Sequence, residues 1–553
     1  MSMVTPNVRT GLQALVQNGF KPLQGARVGA IVNPTAVDAN FTHLADLLHR
    51  APGVTLACLF GPEHGVRGDA QDMIGVGDEI DPRTGVVVHS LYGETFESLK
   101  PTPEQLADLD VVVYDVQDVG SRYYTYAATL KYVMLAAHDQ GKAVMVLDRP
   151  NPIGGVAIEG PTVAPGHESF ISAHPLPIRH GMTVGELARL FQADLGLNRL
   201  DLRVIPCEGW DRRDHWPATG LPFVPPSPNM PTYETALVYP GGCLIEGTQL
   251  SEGRGTTRPF ELWGAPWLDP EALAEAIRRH GLPGVAFRPC VFRPTFHKHA
   301  ESVCRGVMPY ATDPARFRPL ETYARLLGEA ALQHPDRFAW RTDPYEFVSQ
   351  PIAIDLLFGS PRERLVIDRI ARGELHPIHG WSDTLNAWRD DEAAFRVHRR
   401  PFLLYPEPET IPLLTVRRSD GSAVAFTFED LLAFGDADQV NDVGALVPGR
   451  VGGAVKLAAV LMRAGVDPTH ETRLILRASR DGFAKTVPTP ALAQQGWIIH
   501  RRPDGHAPLP IELGGPLRLV VPAVASCDRS GSATDELDEC VTVKGLDLIE
   551  VTN

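Results

Sequence analysis

Between Phe60 and Gly68 the chain reads Phe-Gly-Pro-Glu-His-Gly-Val-Arg-Gly. Glu63, His64 and Arg67 bring a carboxylate, an imidazole and a guanidinium within five positions, with glycines on both sides. A carboxyl beside an imidazole suits general acid–base work. A guanidinium fork suits an anionic group. The glycines open backbone angles closed to other residues and let a ligand approach closely. The apolar run Val54–Phe60 predicts a buried strand, which Gly61-Pro62 stops and turns. Open parallel α/β sheets bind ligands at this carboxyl edge. Taken alone, the segment fits a solvated polar turn equally well.

Three further apolar runs end in the same manner. Arg27–Val32 ends at Asn33-Pro34-Thr35, Leu109–Tyr114 at the turn from Asp115 to Arg122, and Ala143–Leu147 at the turn from Asp148 to Pro152. Helical spacing over 42–50 and 123–139 predicts a parallel sheet covered on both faces. A purely structural sheet does not need Glu, His, Asp and Arg at every carboxyl end, so the four turns together are a stronger signal than any one. Farther on, Pro225–Thr232 reads as a rigid extended loop. The Gly-rich segments Tyr239–Thr248 and Leu250–Phe260 follow, carrying Glu246, Glu252 and Arg254. Helices are expected over 270–280 and 320–333, and the Pro-rich stretch 402–412 reads as a boundary. Beyond it, 451–464 reads as a helix, and 474–478, 517–522 and 541–548 read as strands.

A chain of 553 residues predicts several domains. A formal charge of −15 and the lack of a long basic run argue against a nucleic-acid partner. No apolar stretch reaches membrane-spanning length, so no membrane partner is expected. Met1–Pro6 lacks the basic and apolar regions of a leader, which predicts a cytoplasmic protein, or a periplasmic one if a leader has been removed. The seven cysteines have no CxxC or zinc spacing and read as reduced thiols, with Cys527 and Cys540 as a pair that an oxidising compartment would join.

Several chemistries can be weighed. The first strand turn lacks the glycine fingerprint of dinucleotide binding, and no G-x-S-x-G elbow is present. His297 and His299, two apart on an expected strand, could converge on a metal with Cys304, although surface histidines are the plainer reading. Carboxylates dominate the turns: Glu63, Asp115, Asp118, Asp148, Glu246 and Glu252. Glycoside hydrolysis typically uses two carboxyl groups, one held protonated for the leaving oxygen. Tyr123, Tyr124 and Tyr126 offer faces for a pyranose, or pack a helix core. Arg67, Arg122 or Arg254 can hold a sugar carboxylate, or lie on the surface.

These motifs together resemble the exo-β-N-acetylmuramidase family. The resemblance rests on Phe60–Gly68, Asp115–Tyr126, Leu147–Pro152, Arg179-His-Gly-Met-Thr183, Ser227–Thr232, Glu246-Gly-Thr248 and the segment ending Arg258-Pro-Phe260, over roughly residues 8 to 405. It implies a Rossmann-like domain over 8–210 and a smaller α+β domain over 211–405 closing the cleft; with no glycine fingerprint or zinc spacing, no cofactor or metal is expected. It also implies release of N-acetylmuramic acid from the non-reducing end of peptidoglycan-derived saccharides. Glu63 is then the general acid/base, and His64 orients it or binds substrate. Arg122, Tyr124 and Arg254 contact the sugar or its lactyl carboxylate, with Arg67 and Tyr123 alongside. Asp118, Asp148, Glu246 and Glu252 compete for the second catalytic place.

The tail, 413–553, is similar to the molybdopterin-binding domain of the sulfite oxidase class, a mixed α/β fold. The similarity rests on Lys456–Val466, Ser479–Phe483, Leu513–Pro522 and Lys544–Ile549. In that class a cysteine thiolate holds molybdenum, upstream of the helix that includes Lys456. Here 439–450 has no cysteine, and no thiol stands between Cys304 and Cys527. A soft ligand is missing, so the tail is expected to carry no cofactor.

Overall fold

The β-branched runs between 27 and 205 form one seven-stranded sheet. In chain order its strands are β1 (Arg27–Val32), β2 (Thr55–Gly61), β3 (Glu79–Ile80), β4 (Val87–Ser90), β5 (Val111–Asp115), β6 (Ala143–Leu147) and β7 (Leu202–Ile205). They lie in the order β3-β4-β2-β1-β5-β6-β7, parallel throughout except for the β3–β4 pair. The computed structural model describes residues 8–67, 79–93, 95–407, 412–432, 434–440, 442–470, 472–479, 482–501, 509, 515, 517–521 and 543–552. Gly68 and the expected Cys527–Cys540 pairing lie outside the described residues.

The order in which successive strands are added reverses between β1 and β5, creating the crevice in which such sheets take ligands. The four turns with chemistry follow β2, β1, β5 and β6, which are neighbours in that order, so all four open on one edge. The central strands are buried on both faces, including Ile31, Phe60, Val112, Val113 and Val146. That is why they read as continuous apolar runs rather than alternating ones.

Local signals set the helices between strands. Thr183 caps the helix Val184–Asp194 in a reciprocal capping box with Glu186. The helix expected from 123 begins only at Tyr126 and runs to Asp139. Residues 121–125 form a turn instead, because the Arg122 N–H is drawn to the carbonyl of Ile178 and that of Tyr124 to Ser121.

The same compact unit runs on to Tyr405. It adds a three-stranded sheet of β8 (Trp263–Ala265), β9 (Val285–Phe292) and β10 (Cys304–Ala311), ordered β8-β10-β9. Helices Pro270–Arg278 and Pro319–Gln333 pack with it. One apolar cluster runs from Phe60 and Tyr126 through Leu244 and Trp263 to Leu357 and Trp388, so both sheets share a core.

Residues Pro406–Asn553 form a second unit of mixed α/β structure. Its described strands are β11 (Leu414–Arg417), β12 (Ala423–Phe426), β13 (Gln439–Val440), β14 (Gly453–Lys456), β15 (Arg473–Ala478), β16 (Phe483–Pro488), β17 (Trp497–Arg501), β18 (Arg518–Val520), β19 (Val543–Lys544) and β20 (Leu548–Thr552). They make two five-stranded sheets, β12-β11-β20-β15-β16 and β13-β14-β17-β18-β19. The helix expected over 451–464 is half strand: Gly453–Lys456 pairs with β17, and only Leu457–Arg463 is helical. Consecutive glycines at 452 and 453 disfavour a helix start there, and pairing with β17 supplies backbone partners. Among the described residues no helix is long and apolar enough to cross a membrane.

Candidate active site

At the end of β2, Pro62 to Gly65 makes a tight turn closed by the Gly65 N–H donating to the Pro62 carbonyl, 2.9 Å. His64 and Gly65 both have positive φ, 72° and 77°. Gly65 takes this at little cost, whereas an imidazole-bearing residue in the left-handed region is strained. Such strain persists where surrounding contacts over-determine it, and it gathers at functional sites. The turn aims Glu63 and His64, both buried, into a solvent-open cavity.

The floor comes from the β5 turn and the loop 225–230. Thr125 Oγ1 donates to Glu63 Oε2 at 2.8 Å, fixing the carboxylate. Tyr126 Oη donates to the Pro226 carbonyl at 2.7 Å, and Asn33 Nδ2 to the same oxygen at 3.2 Å. The β1 turn, the β5 turn and the proline loop are thereby pinned together. Tyr124 meets Tyr126 and Tyr239 edge-on, with ring centres 5.0 and 5.5 Å apart. Ser227, Asn229 and Met230 complete this side.

The facing wall belongs to the later segments. Glu246 Oε1 accepts from Arg254 Nη2 at 2.7 Å, and its Oε2 from Tyr345 Oη at 2.5 Å. The Arg254 guanidinium lies 5.1 Å above the Phe260 ring, a cation–π contact. Behind it, Glu252 pairs with His297 Nδ1 and Lys298 Nζ, each at 2.9 Å. Burial pushes the Glu252 carboxyl up, but Lys298, His297 and Arg254 together hold it well below the ordinary carboxylate range. Glu252 is therefore an anion that fixes cations, and it does not line the cavity.

Of the residues expected from sequence, Glu63, His64, Tyr123, Tyr124, Glu246 and Arg254 meet in this cavity. Others are placed elsewhere. The Arg122 guanidinium, buried, donates to the carbonyls of Pro161, Leu176 and Leu357. Arg67 pairs with Asp81 at 2.9 Å and Asp46 at 3.4 Å. Asp118 accepts from the Gly120 N–H at 2.7 Å and lies 3.5 Å from His180, behind the tyrosines and outside the lining. His297 and His299 stand in a turn with positive φ rather than on a strand. His297 faces Glu252, and His299 faces the Gln249 carbonyl at 2.9 Å. They do not converge, and among the described residues no group of three His, Cys, Asp or Glu side chains is arranged to hold a metal.

Asp148 is fully buried, with its carboxylate accepting from Thr183 Oγ1, Tyr405 Oη and the Gly185 N–H at 2.6 to 2.8 Å. Burial outweighs these bonds and, with Glu186 nearby, pushes the carboxyl up to about 6. A carboxyl raised in the folded state stabilises it fully below the unfolded value and loses that contribution as pH rises through the folded one. The native chain is therefore expected to lose stability relative to the non-titrating Asp148→Asn variant between pH 4 and 7, on the order of 3 kcal/mol. Parallel melting curves measure this; a pH-independent gap between the two proteins would contradict it.

Sequence reasoning missed several lining residues. Thr125, Ser227 and Asn229 sit inside motifs quoted above, so their neighbours could have pointed to them. Tyr345 and Glu346 line the cavity from a segment with no motif signal.

Comparison with known proteins places the first unit in a family. The N-terminal and C-terminal family models of the exo-β-N-acetylmuramidase NamZ match residues 28–234 and 237–405. The peptidoglycan β-N-acetylmuramidase NamZ of Bacillus subtilis (strain 168) is 43% identical over 400 residues, 72% of this chain and 92% of that protein. Two DUF1343 family proteins from Bacteroides fragilis NCTC 9343 have similar crystal structures. One is 37% identical with a TM-score of 0.66, covering 73% of this chain and 100% of that one. The other is 28% identical with a TM-score of 0.55, covering 72% and 99%. The family match stops at 405, where the first compact unit ends. The cavity draws its walls from both matched halves, and by sequence and fold the chain belongs to the exo-β-N-acetylmuramidase NamZ family.

Proposed function

We propose that the cavity takes the terminal N-acetylmuramic acid residue of a peptidoglycan fragment and that the enzyme hydrolyses its β-glycosidic bond, releasing the sugar from the non-reducing end. The observation that carries this is the presence of Glu63 and Arg254 in one aromatic-walled cavity. Glu63, held by Thr125, gives its proton to the glycosidic oxygen as the C1–O bond breaks, and the bonding pair leaves with that oxygen. His64 shares the strained turn and orients the sugar or the acid. Arg254, pre-set by Glu246, Glu252 and Phe260, meets the lactyl carboxylate that separates this sugar from N-acetylglucosamine. Tyr123 and Tyr124 supply apolar surface for the ring.

An aryl β-N-acetylmuramide and the matching glucosaminide test this directly. Release from the muramide alone is expected. Arg254→Met is expected to lower kcat/KM for the muramide about ten- to a hundred-fold, the size of a charge-assisted hydrogen bond. Failure of the folded native protein to release sugar from either substrate would instead favour a non-catalytic receptor for sugar acids.

We read the second unit as a relative of the molybdopterin-binding domain of the sulfite oxidase class that holds no cofactor. All cysteines among the described residues lie in the first unit, so the described part of the second offers no thiolate. Molybdenum in stoichiometric amount in the purified protein would overturn this.

A further inference from the structure

We propose that Glu346 is the second carboxylate of the reaction, the one that meets the anomeric carbon. This rests on the hydrolase reading above and deepens it. Three carboxylates line the cavity among the described residues: Glu63, Glu246 and Glu346. Glu246 has one oxygen on Arg254 and the other on Tyr345, which makes it a holder of the wall. The other residues expected to compete stand outside the lining: Asp118 by the Gly120 N–H, Asp148 among Thr183, Gly185 and Tyr405, and Glu252 against Lys298 and His297.

The backbone gives an independent reason. Tyr345 and Val348 exchange both main-chain hydrogen bonds, 2.8 and 3.0 Å, and so close a two-residue turn. Its central residues, Glu346 and Phe347, both have positive φ, 46° and 67°. Such turns favour Asn-Gly because two left-handed residues in succession are otherwise strained. Here the tip is a long acid and an aromatic. Three contacts over-determine it: Tyr345 Oη on Glu246, Tyr92 Oη donating to Glu346 Oε2 at 3.3 Å, and the Phe347 ring 6.1 Å from that of Tyr92. A turn that keeps unfavourable residues at its tip, and aims one into the cavity that holds Glu63, is built for what that side chain does.

Two balanced courses keep Glu346 at C1. In one, its carboxylate takes a proton from the water whose oxygen bonds to C1 as the Glu63 proton goes to the leaving oxygen. In the other, the carboxylate bonds to C1, and water later displaces it while returning its proton to Glu63.

Glu346→Gly tests the proposal, since glycine fits the turn without strain and leaves space at C1. With the aryl muramide, the variant is expected to lose at least about 10³-fold in kcat while melting no lower than the native enzyme. Sodium azide is expected to restore at least tenfold and to yield the glycosyl azide; Glu346→Gln is expected to lose activity comparably. Asp118→Asn and Glu246→Gln, run alongside, are expected to give no azide adduct. Activity within tenfold of native overturns the proposal and points to the substrate's own acetamido group. Loss without an azide adduct, an adduct from Asp118→Asn, or a melting temperature well below native also overturns it. A native enzyme inactive on the muramide fails the hydrolase reading itself, and the proposal with it.

Discussion

Glu63→Gln is expected to lower kcat on a peptidoglycan saccharide by about 10² to 10⁴, the range of a lost general acid, with KM little changed. Glutamine keeps the shape of the side chain, and its amide oxygen can still accept from Thr125 Oγ1. It has no acidic proton for the leaving oxygen. The leaving group therefore discriminates. A sugar hydroxylate is a poor leaving group and needs that proton, whereas an activated aryl oxide departs with little help. The loss is expected to be much smaller on the aryl muramide than on the natural glycan. Single-turnover rates on both substrates measure it. An equal loss on both would move Glu63 from the leaving oxygen to the anomeric carbon, and a loss below tenfold on the glycan would take the acid role from it altogether.

The second large effect is on stability. Arg212 and Glu186 form an ion pair with neither side chain exposed. The Arg212 guanidinium also donates to the carbonyls of Gly181 at 2.8 Å, Tyr405 at 3.0 Å and Gly155 at 3.2 Å. Glu186 Oε2 in turn closes the Thr183 cap, and Oε1 receives the Leu404 N–H at 2.9 Å. Removing one partner of such a pair leaves a buried charge uncompensated, at a cost of roughly 3 to 5 kcal/mol. Arg212→Met is expected to lower the melting temperature of the first unit by about 5 °C, given the entropy of melting a unit of this size. Adding Glu186→Gln removes the stranded charge while keeping an acceptor for the cap, so the double variant is expected to recover part of the loss. A single variant that melts with the native protein would show that the pair contributes only surface-like energy.

That pair explains why the family motifs carry more residues than the chemistry uses. Turns at the carboxyl edge of a sheet expose carbonyls that neither strand nor helix satisfies, and buried carbonyls need donors. Arg122, Arg179, Arg212 and Arg399 each send guanidinium N–H groups to such carbonyls. From sequence, an arginine that binds a sugar acid and one that props a loop look the same, because both need a fork of donors beside glycines. Arg122 and Arg254 separate only when their partners are seen: three carbonyls for one, two carboxylates and a cavity for the other.

The features legible along the chain are local or periodic. The apolar runs named β1, β2, β5 and β6, the Gly-Pro stop after β2 that presents Glu63, and the Pro-rich boundary near 405 all follow from backbone preference and burial along a few residues. The tertiary structure decided which side chains share a space. Tyr345 and Glu346 reach Glu246 and Tyr92 across 99 and 254 residues of chain, respectively. No spacing rule spans such distances. Their turn even runs against local preference, so only packing, which holds it in place, could reveal it.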